Sequence, residues 1–173
     1  MKLVLITGLK EIDKKAIARL VLQRVGQNFK HIDIDSMVRI KTDLKDMDKI
    51  RSYISTSYKK IGKEIVKNLK NEANNIIITG SASLETIYGY YPLITKDFFK
   101  TFNPDLIILM EIDPSVLSKD EIEITRLKNQ QIINRNYLIL YSIVSGAFFR
   151  IVKIEKGNIM DSVEYISSIL REI

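Results

Sequence analysis

Residues 6–16 read ITGLKEIDKKA and come directly after the apolar run KLVL. A strand, a glycine, five further residues, a lysine and an amphipathic helix outline a phosphate-binding loop. In working form that loop follows G-x-x-x-x-G-K-[ST]. Its glycines let backbone N–H groups curl round phosphates, its lysine neutralises their charge, and its hydroxyl holds magnesium. Here Gly8 and Lys14 fill the first glycine and the lysine, while Asp13 stands at the second glycine and Lys15 at the hydroxyl. Glu11 adds a carboxylate to the same turn, and Thr7 offers a hydroxyl beside it. A protonated lysine has no lone pair for a metal, and an aspartate brings negative charge towards an anion. The helix N-terminus still supplies free N–H groups and partial positive charge. The competing reading makes Asp13 an N-cap of a helix starting near Lys14, with Gly8 a turn residue and Lys14 and Lys15 solvated. The residues favour this second reading.

These positions need a scaffold. Leu3–Ile6, Ile76–Thr79, Leu106–Ile112 and Phe148–Ile154 are apolar runs that predict buried strands, and HIDID at His31–Asp35 predicts a weaker, alternating one. Between Asp46 and Leu69, Ile50, Ile54, Ile61, Ile65 and Leu69 recur at helical spacing. Ile122–Val144 predicts a second long helix stopped by Gly146. Asp161–Leu170 predicts a terminal helix. Strands alternating with helices imply an α/β sandwich on a mainly parallel sheet. Nothing marks a linker or repeat, so residues 1–173 are expected to form one domain.

The chain has no cysteine and one histidine. The missing cysteine excludes a disulfide framework, a thiolate zinc site and a cysteine nucleophile, and His31 as the one histidine argues against a His-based metal cluster or a Ser-His-Asp triad. No metal site is expected. No apolar run is long enough to span a bilayer, and the N-terminus lacks a signal-peptide pattern, so the cytoplasm is the expected location. The formal charge of +6 permits an acidic partner such as RNA. The lysines are spread beside acidic residues, as in DLKDMDK and SKDEIEITRLK, which argues for solvated faces instead.

Three further stretches are more specific: GYYP at Gly89–Pro92, FNPDLIILMEIDP at Phe102–Pro114 and NRNYLILYSIVSGAFFRIVKI at Asn134–Ile154. In order and spacing they resemble the archaeal type of adenylate kinase across nearly the whole chain. The resemblance implies a P-loop nucleoside-monophosphate-kinase fold, a three-layer sandwich with a five-stranded parallel sheet ordered 2-3-1-4-5. It also implies a possible homo-trimer. Lys14 and Arg135 occupy family positions that grip phosphate, and Lys15, Thr7, Gly8 and Arg126 complete the candidate contacts.

The chain departs from the family in four places. The loop at Gly8–Lys15 is altered. A third-strand Asp-Thr-His ending is replaced by Thr79, Gly80 and Ser81. Asp48 stands where the second helix carries an arginine, with Arg51 or Lys45 as substitutes. The arginine-rich lid before the Asn-Arg helix is shorter by roughly ten residues, too short for a closing flap. Loss of one charge-stabilising contact costs about 2–4 kcal/mol, so four together remove most of the acceleration.

The remaining candidates carry two readings each. Asp33 and Asp35 could hold a ribose hydroxyl, or cap and turn. Arg135 could hold a phosphate, or form an ion pair steadying its helix. Glu111 and Asp113 end a strand, with Asp113–Pro114 read as an N-cap and first helical position. Tyr88, Tyr90 and Tyr91 could stack on a base, or pack beneath their loop. His31 reads as an ordinary strand-edge residue. The expected function is an adenylate-kinase-like protein that has lost phosphoryl transfer and acts in binding or assembly, with no cofactor. One alternative is a residual monophosphate kinase or slow ATPase using ATP and magnesium. Another is an RNA- or ribosome-associated factor, whose binding would weaken steeply with salt.

Overall fold

Strands with apolar residues at successive positions bury both faces, and such strands pair in parallel beneath covering helices. The structure, a computed structural model, describes residues 2–26, 28–37, 46–69 and 75–173. In chain order they form β1 (Leu3–Gly8), α1 (Lys14–Val25), β2 (Phe29–Asp33), α2 (Ile34–Met37), α3 (Met47–Leu69), β3 (Asn75–Ser81) and β4 (Ser83–Thr86). Then follow β5 (Gly89–Pro92), α4 (Lys96–Phe102), β6 (Leu106–Ile112), α5 (Pro114–Leu117), α6 (Glu121–Ser145), β7 (Phe148–Ile154) and α7 (Ile159–Arg171).

Among the described residues, five strands make one parallel sheet in the order β2-β3-β1-β6-β7. This is the expected 2-3-1-4-5 once the sheet's own strands are numbered. The labels differ because β4 and β5 form a separate antiparallel hairpin that the sequence did not disclose. GYYP is the second strand of this hairpin, and the turn sits just before it, with Gly89 at φ 109°. The weak second strand also lies earlier than expected, because the chain becomes helical at Ile34.

The sheet divides the core. Leu3, Leu5, Ile78 and Leu109 face Ile54, Phe98 and Leu138, which lie on α3, α4 and α6. Val4, Ile6, Ile108 and Met110 face Ile17, Val21, Val163 and Ile166, on α1 and α7. Asp113 caps α5, its carboxylate accepting from the Ser115 N–H at 2.9 Å. Asp120 caps α6 through Ile122 N–H at 2.7 Å, and Gly146 ends that helix in the left-handed region. Residues 113–120 thus connect β6 to α6 with only one short helix between.

Gly8 is not a turn residue. It is the last residue of β1, opposite Ser81 and Met110, and a Cβ there would lie 2.6 Å from the Met110 carbonyl oxygen. Close approach of two backbones is what requires glycine. Gly8→Ala is expected to cost about 1–3 kcal/mol, read as a lower urea midpoint at unchanged slope; an unmoved midpoint would contradict this contact.

Candidate phosphate-loop site

The loop between β1 and α1 is held from both ends. Leu9 and Ile12 are buried in the core beneath α1 and α7, and the Ile12 N–H donates to Leu9 O at 3.3 Å. Asp13 caps α1, accepting from the Ala16 N–H at 2.9 Å, as the second reading of the sequence required.

Lys14 contradicts that reading's other half. Its side chain is not solvated but 4% exposed. Its Nζ donates to Leu9 O at 2.7 Å and Ile12 O at 3.2 Å, with an Asp35 carboxylate oxygen 3.8 Å away. The loop therefore turns carbonyl oxygens towards its own ammonium. Burial lowers the Lys14 pKa below its ordinary 10.5, opposed by the nearby carboxylates, Asp35 foremost. Lys15 does lie at the surface, 3.3 Å from Asp33.

Asp35 is fixed by β3, accepting from Ser81 N–H at 2.9 Å and Ser81 Oγ at 2.7 Å. Asp33 accepts a long bond from Thr79 Oγ1 at 3.5 Å, and that hydroxyl also meets His31 Nε2 at 2.9 Å. Burial lowers the His31 pKa, with Asp33 opposing. Both aspartates thus bind across strands and to lysines, where capping or turning was the plainer expectation. Thr79 and Ser81, at the positions of the resemblance's polar strand ending, are engaged by these partners.

Above the loop lies a cleft of ≈ 290 Å³ whose charged lining is Lys10, Lys14 and Lys15 against Glu11, Asp13, Asp33 and Asp35. Three ammonium groups face four carboxylates. Thr7 does not line it: it is fully buried, and its Oγ1 has no hydrogen-bond partner.

Neither candidate arginine lines the cleft. Arg135 makes a bidentate pair with Glu111, Nε to Oε1 at 2.9 Å and Nη2 to Oε2 at 2.6 Å. Hydrogen bonding to this nearly buried carboxylate raises the arginine's pKa, which is the helix-steadying ion pair considered from the sequence. Arg126 bonds Glu85 and, at 3.2 Å, Glu123, and the Glu85 bond raises its pKa.

Between β4 and the inward side of α6 is a buried polar network that sequence reasoning missed. Ser83 Oγ donates to Asn134 Oδ1 at 2.6 Å, and Gln130 Nε2 donates to Ser83 Oγ at 3.2 Å. Its signal was the placement of Gln130 and Asn134 on the same helical stripe as Leu127 and Leu138, all four buried.

Asp48 pairs with Arg51 at 3.6 Å on the surface of α3; Lys45 lies outside the described residues. Arg51, Met47 and Ile50 line a ≈ 160 Å³ cavity with Tyr88, Tyr90 and Tyr91. The tyrosines do not pack as one unit beneath their loop: Tyr91 touches the core while Tyr88 is 56% exposed. Among the described residues no cluster of three or more His, Asp or Glu side chains is arranged to hold a metal, and no helix is long and apolar enough to cross a membrane.

The parallel order, with a loop-to-helix turn at the carboxyl end of the central strand, defines a P-loop kinase type of α/β protein. A profile described as AAA domain matches residues 11–134, and the chain belongs to that family as an adenylate-kinase-like member. It is 25% identical to an adenylate kinase of Pyrococcus abyssi over 166 residues, covering 87% of this chain and 85% of that one. It is 24% identical to an adenylate kinase of Methanococcus aeolicus over 191 aligned positions, 98% of each chain. Among solved structures, shikimate kinase from Acinetobacter baumannii superposes with TM-score 0.57 at 14% identity, covering 99% of this chain and 94% of that one. The Aquifex aeolicus shikimate kinase gives TM-score 0.53 at 18% identity, covering 98% and 96%. These two likenesses concern the fold.

The burial of Lys14 has a pH signature. Because its folded pKa is lowered, the unfolded chain binds more protons between the folded value and 10.5. Stability from this group therefore rises with pH across that window, is complete above it, and is lost as pH falls through the folded value. Subtracting the urea stability of Lys14→Met from that of the wild type at successive pH values should give a difference that climbs towards pH 10.5. A flat difference would show the ammonium solvated and a falling one would show its pKa raised by the carboxylates, and either would contradict the burial effect.

Proposed function

We propose that this adenylate-kinase-like protein has lost phosphoryl transfer and acts as a non-catalytic binding or assembly protein. The observation that carries the reading is Lys14, whose ammonium is bonded to the carbonyls of its own loop beside Asp35. Phosphoryl transfer is almost wholly positioning and charge neutralisation. The cleft at this loop has more carboxylates than ammonium groups, and Lys15, Arg126 and Arg135 are already matched to acidic side chains.

The residues here do not fit a magnesium-bound triphosphate. Asp13 directs a carboxylate into the turn where a phosphate would lie, and Lys15 has no lone pair to give the metal. The connection of residues 113–120 is too short to fold over the site as a flap.

Incubation with ATP, AMP and magnesium is expected to yield no ADP above a protein-free control, and calorimetry with each nucleotide no saturable heat. Neither should the melting temperature rise with MgATP. Asp13→Gly combined with Lys15→Thr restores the loop's letters at small cost, since glycine replaces an aspartate cap with a loss of only about a few tenths of a kcal/mol. This variant is expected to gain measurable MgATP binding. Tight, magnesium-dependent ATP binding by the wild type, or ADP formation abolished by Lys14→Ala, would overturn the reading in favour of a residual kinase.

A further inference from the structure

Helix α3 turns Ile50, Ile54 and Ile61 into the core. Gly62 completes that inward side where α3 meets α4: a Cβ there would lie 2.7 Å from Thr101 Cγ2. The opposite side is thereby held to the solvent. Lys49, Ser52, Thr56, Lys59, Lys60 and Lys63 follow one another along it at helical spacing, and all six are exposed. Between Lys49 and Lys63 the chain has no Asp or Glu, in contrast to mixed stretches such as SKDEIEITRLK. The stripe rises about 21 Å along the helix.

Its charges are unequally matched. Asp46 and Asp48 precede the stripe and Glu64 follows it. Lys49 lies 3.9 Å from Asp46, and Arg51, at the flank, 3.6 Å from Asp48. Lys59, Lys60 and Lys63 make no ion pair among the described residues, and the Ser52 and Thr56 side chains make no hydrogen bond to them. Where the loop site answers each of its cations, three ammonium groups stand here in water without a carboxylate.

We propose that this stripe binds the backbone of double-stranded RNA without regard to sequence. A row of cations and hydroxyls matches a surface that repeats anionic oxygens, and phosphate contacts from Lys, Ser and Thr position a duplex without reading its bases. Among the described side chains of α3 no aromatic one is exposed, so the helix offers no stacking platform for unpaired bases and favours the duplex over a single strand. The Ser52 and Thr56 hydroxyls accept as well as donate, which an ammonium does not. They can therefore meet the 2′-hydroxyl that marks RNA and that the wide minor groove of its duplex displays. An anionic bilayer is a poorer match, because a helix lying on lipid buries its apolar face there and that of α3 faces the core. The stripe and the loop site lie on different elements, so this binding does not depend on whether phosphoryl transfer survives.

Fluorescence anisotropy of a labelled RNA duplex, long enough to span the stripe, should rise saturably with the full chain at low salt. With three phosphates neutralised, log K should fall against log salt with a slope of about −3, so a threefold rise in salt weakens binding roughly 20-fold. Lys59→Gln combined with Lys63→Gln should weaken binding about tenfold or more and reduce the slope by about two. Lys153→Gln combined with Lys156→Gln removes the same charge from exposed positions on β7 and in the turn after it, and should leave both quantities unchanged. Ser52→Ala combined with Thr56→Ala should remove the preference for RNA over a DNA duplex of the same sequence, and serves if the stripe's lysine variant fails to fold. No saturable binding at low salt overturns the proposal. So does an equal loss in the two lysine variants, tighter binding of the single strand, or wild-type binding to the DNA duplex as tight as to RNA.

Discussion

An ammonium group withdrawn from water must find oxygen partners close by, and the loop end of this sheet is built round that requirement. Lys14 sits where a phosphate loop would direct its lysine outward, yet its Nζ is bonded to Leu9 O and Ile12 O. The apolar anchors Leu9 and Ile12 bring those carbonyls inward. Asp35, the nearest counter-charge, is itself pinned by two bonds from Ser81. One buried cation thereby joins the end of β1, the first turn of α1, α2 and the end of β3. A cradle for anions presents N–H groups and a free positive charge; here the carbonyls and the charge satisfy each other.

The same internal matching recurs across the carboxyl end of the sheet. Lys15 with Asp33, Arg126 with Glu85 and Glu123, and Arg135 with Glu111 are each an answered charge. The exposed pairs add little stability singly. Their effect lies in the field: an overall charge of +6 does not become a positive cleft, because local neighbours set the potential that a ligand meets. The buried Ser83–Gln130–Asn134 network separately ties β4 to α6, the helix that carries Arg126 and Arg135. Conserving the geometry of a kinase and conserving its electrostatics are separate matters, and the proposed loss of transfer follows from the second.

The outer side of α6 has a different character: Glu121 and Lys128 are exposed near its start, but from Asn136 to Ser145 it carries no Asp, Glu, Lys or Arg. The two features lie on one helix: its inward polar residues hold the fold, and its outward residues face solvent.

Much of the fold was legible from the sequence. Leu106–Ile112 coincides with β6, because a strand buried on both faces is written as an unbroken apolar run; Phe148–Ile154 coincides with β7, but this strand lies at the sheet edge with four of its seven residues exposed, where a buried strand was expected. Long helices could be read from their stripes, and Asp13, Asp113 and Gly146 from the local chemistry of helix ends. The β4–β5 hairpin could not, since its strands are four residues each and one ends in proline, too little for any period to register. Nor could the fate of Lys14, whose partners include an aspartate twenty-one residues away that Ser81 holds from a third strand. The sequence by itself determined the strands, the helices, the caps and the altered letters of the loop, all of which depend on near neighbours. Only the tertiary structure decided which charges were spent on each other and which face of α6 looked outward, because both depend on segments that meet in space and are distant along the chain.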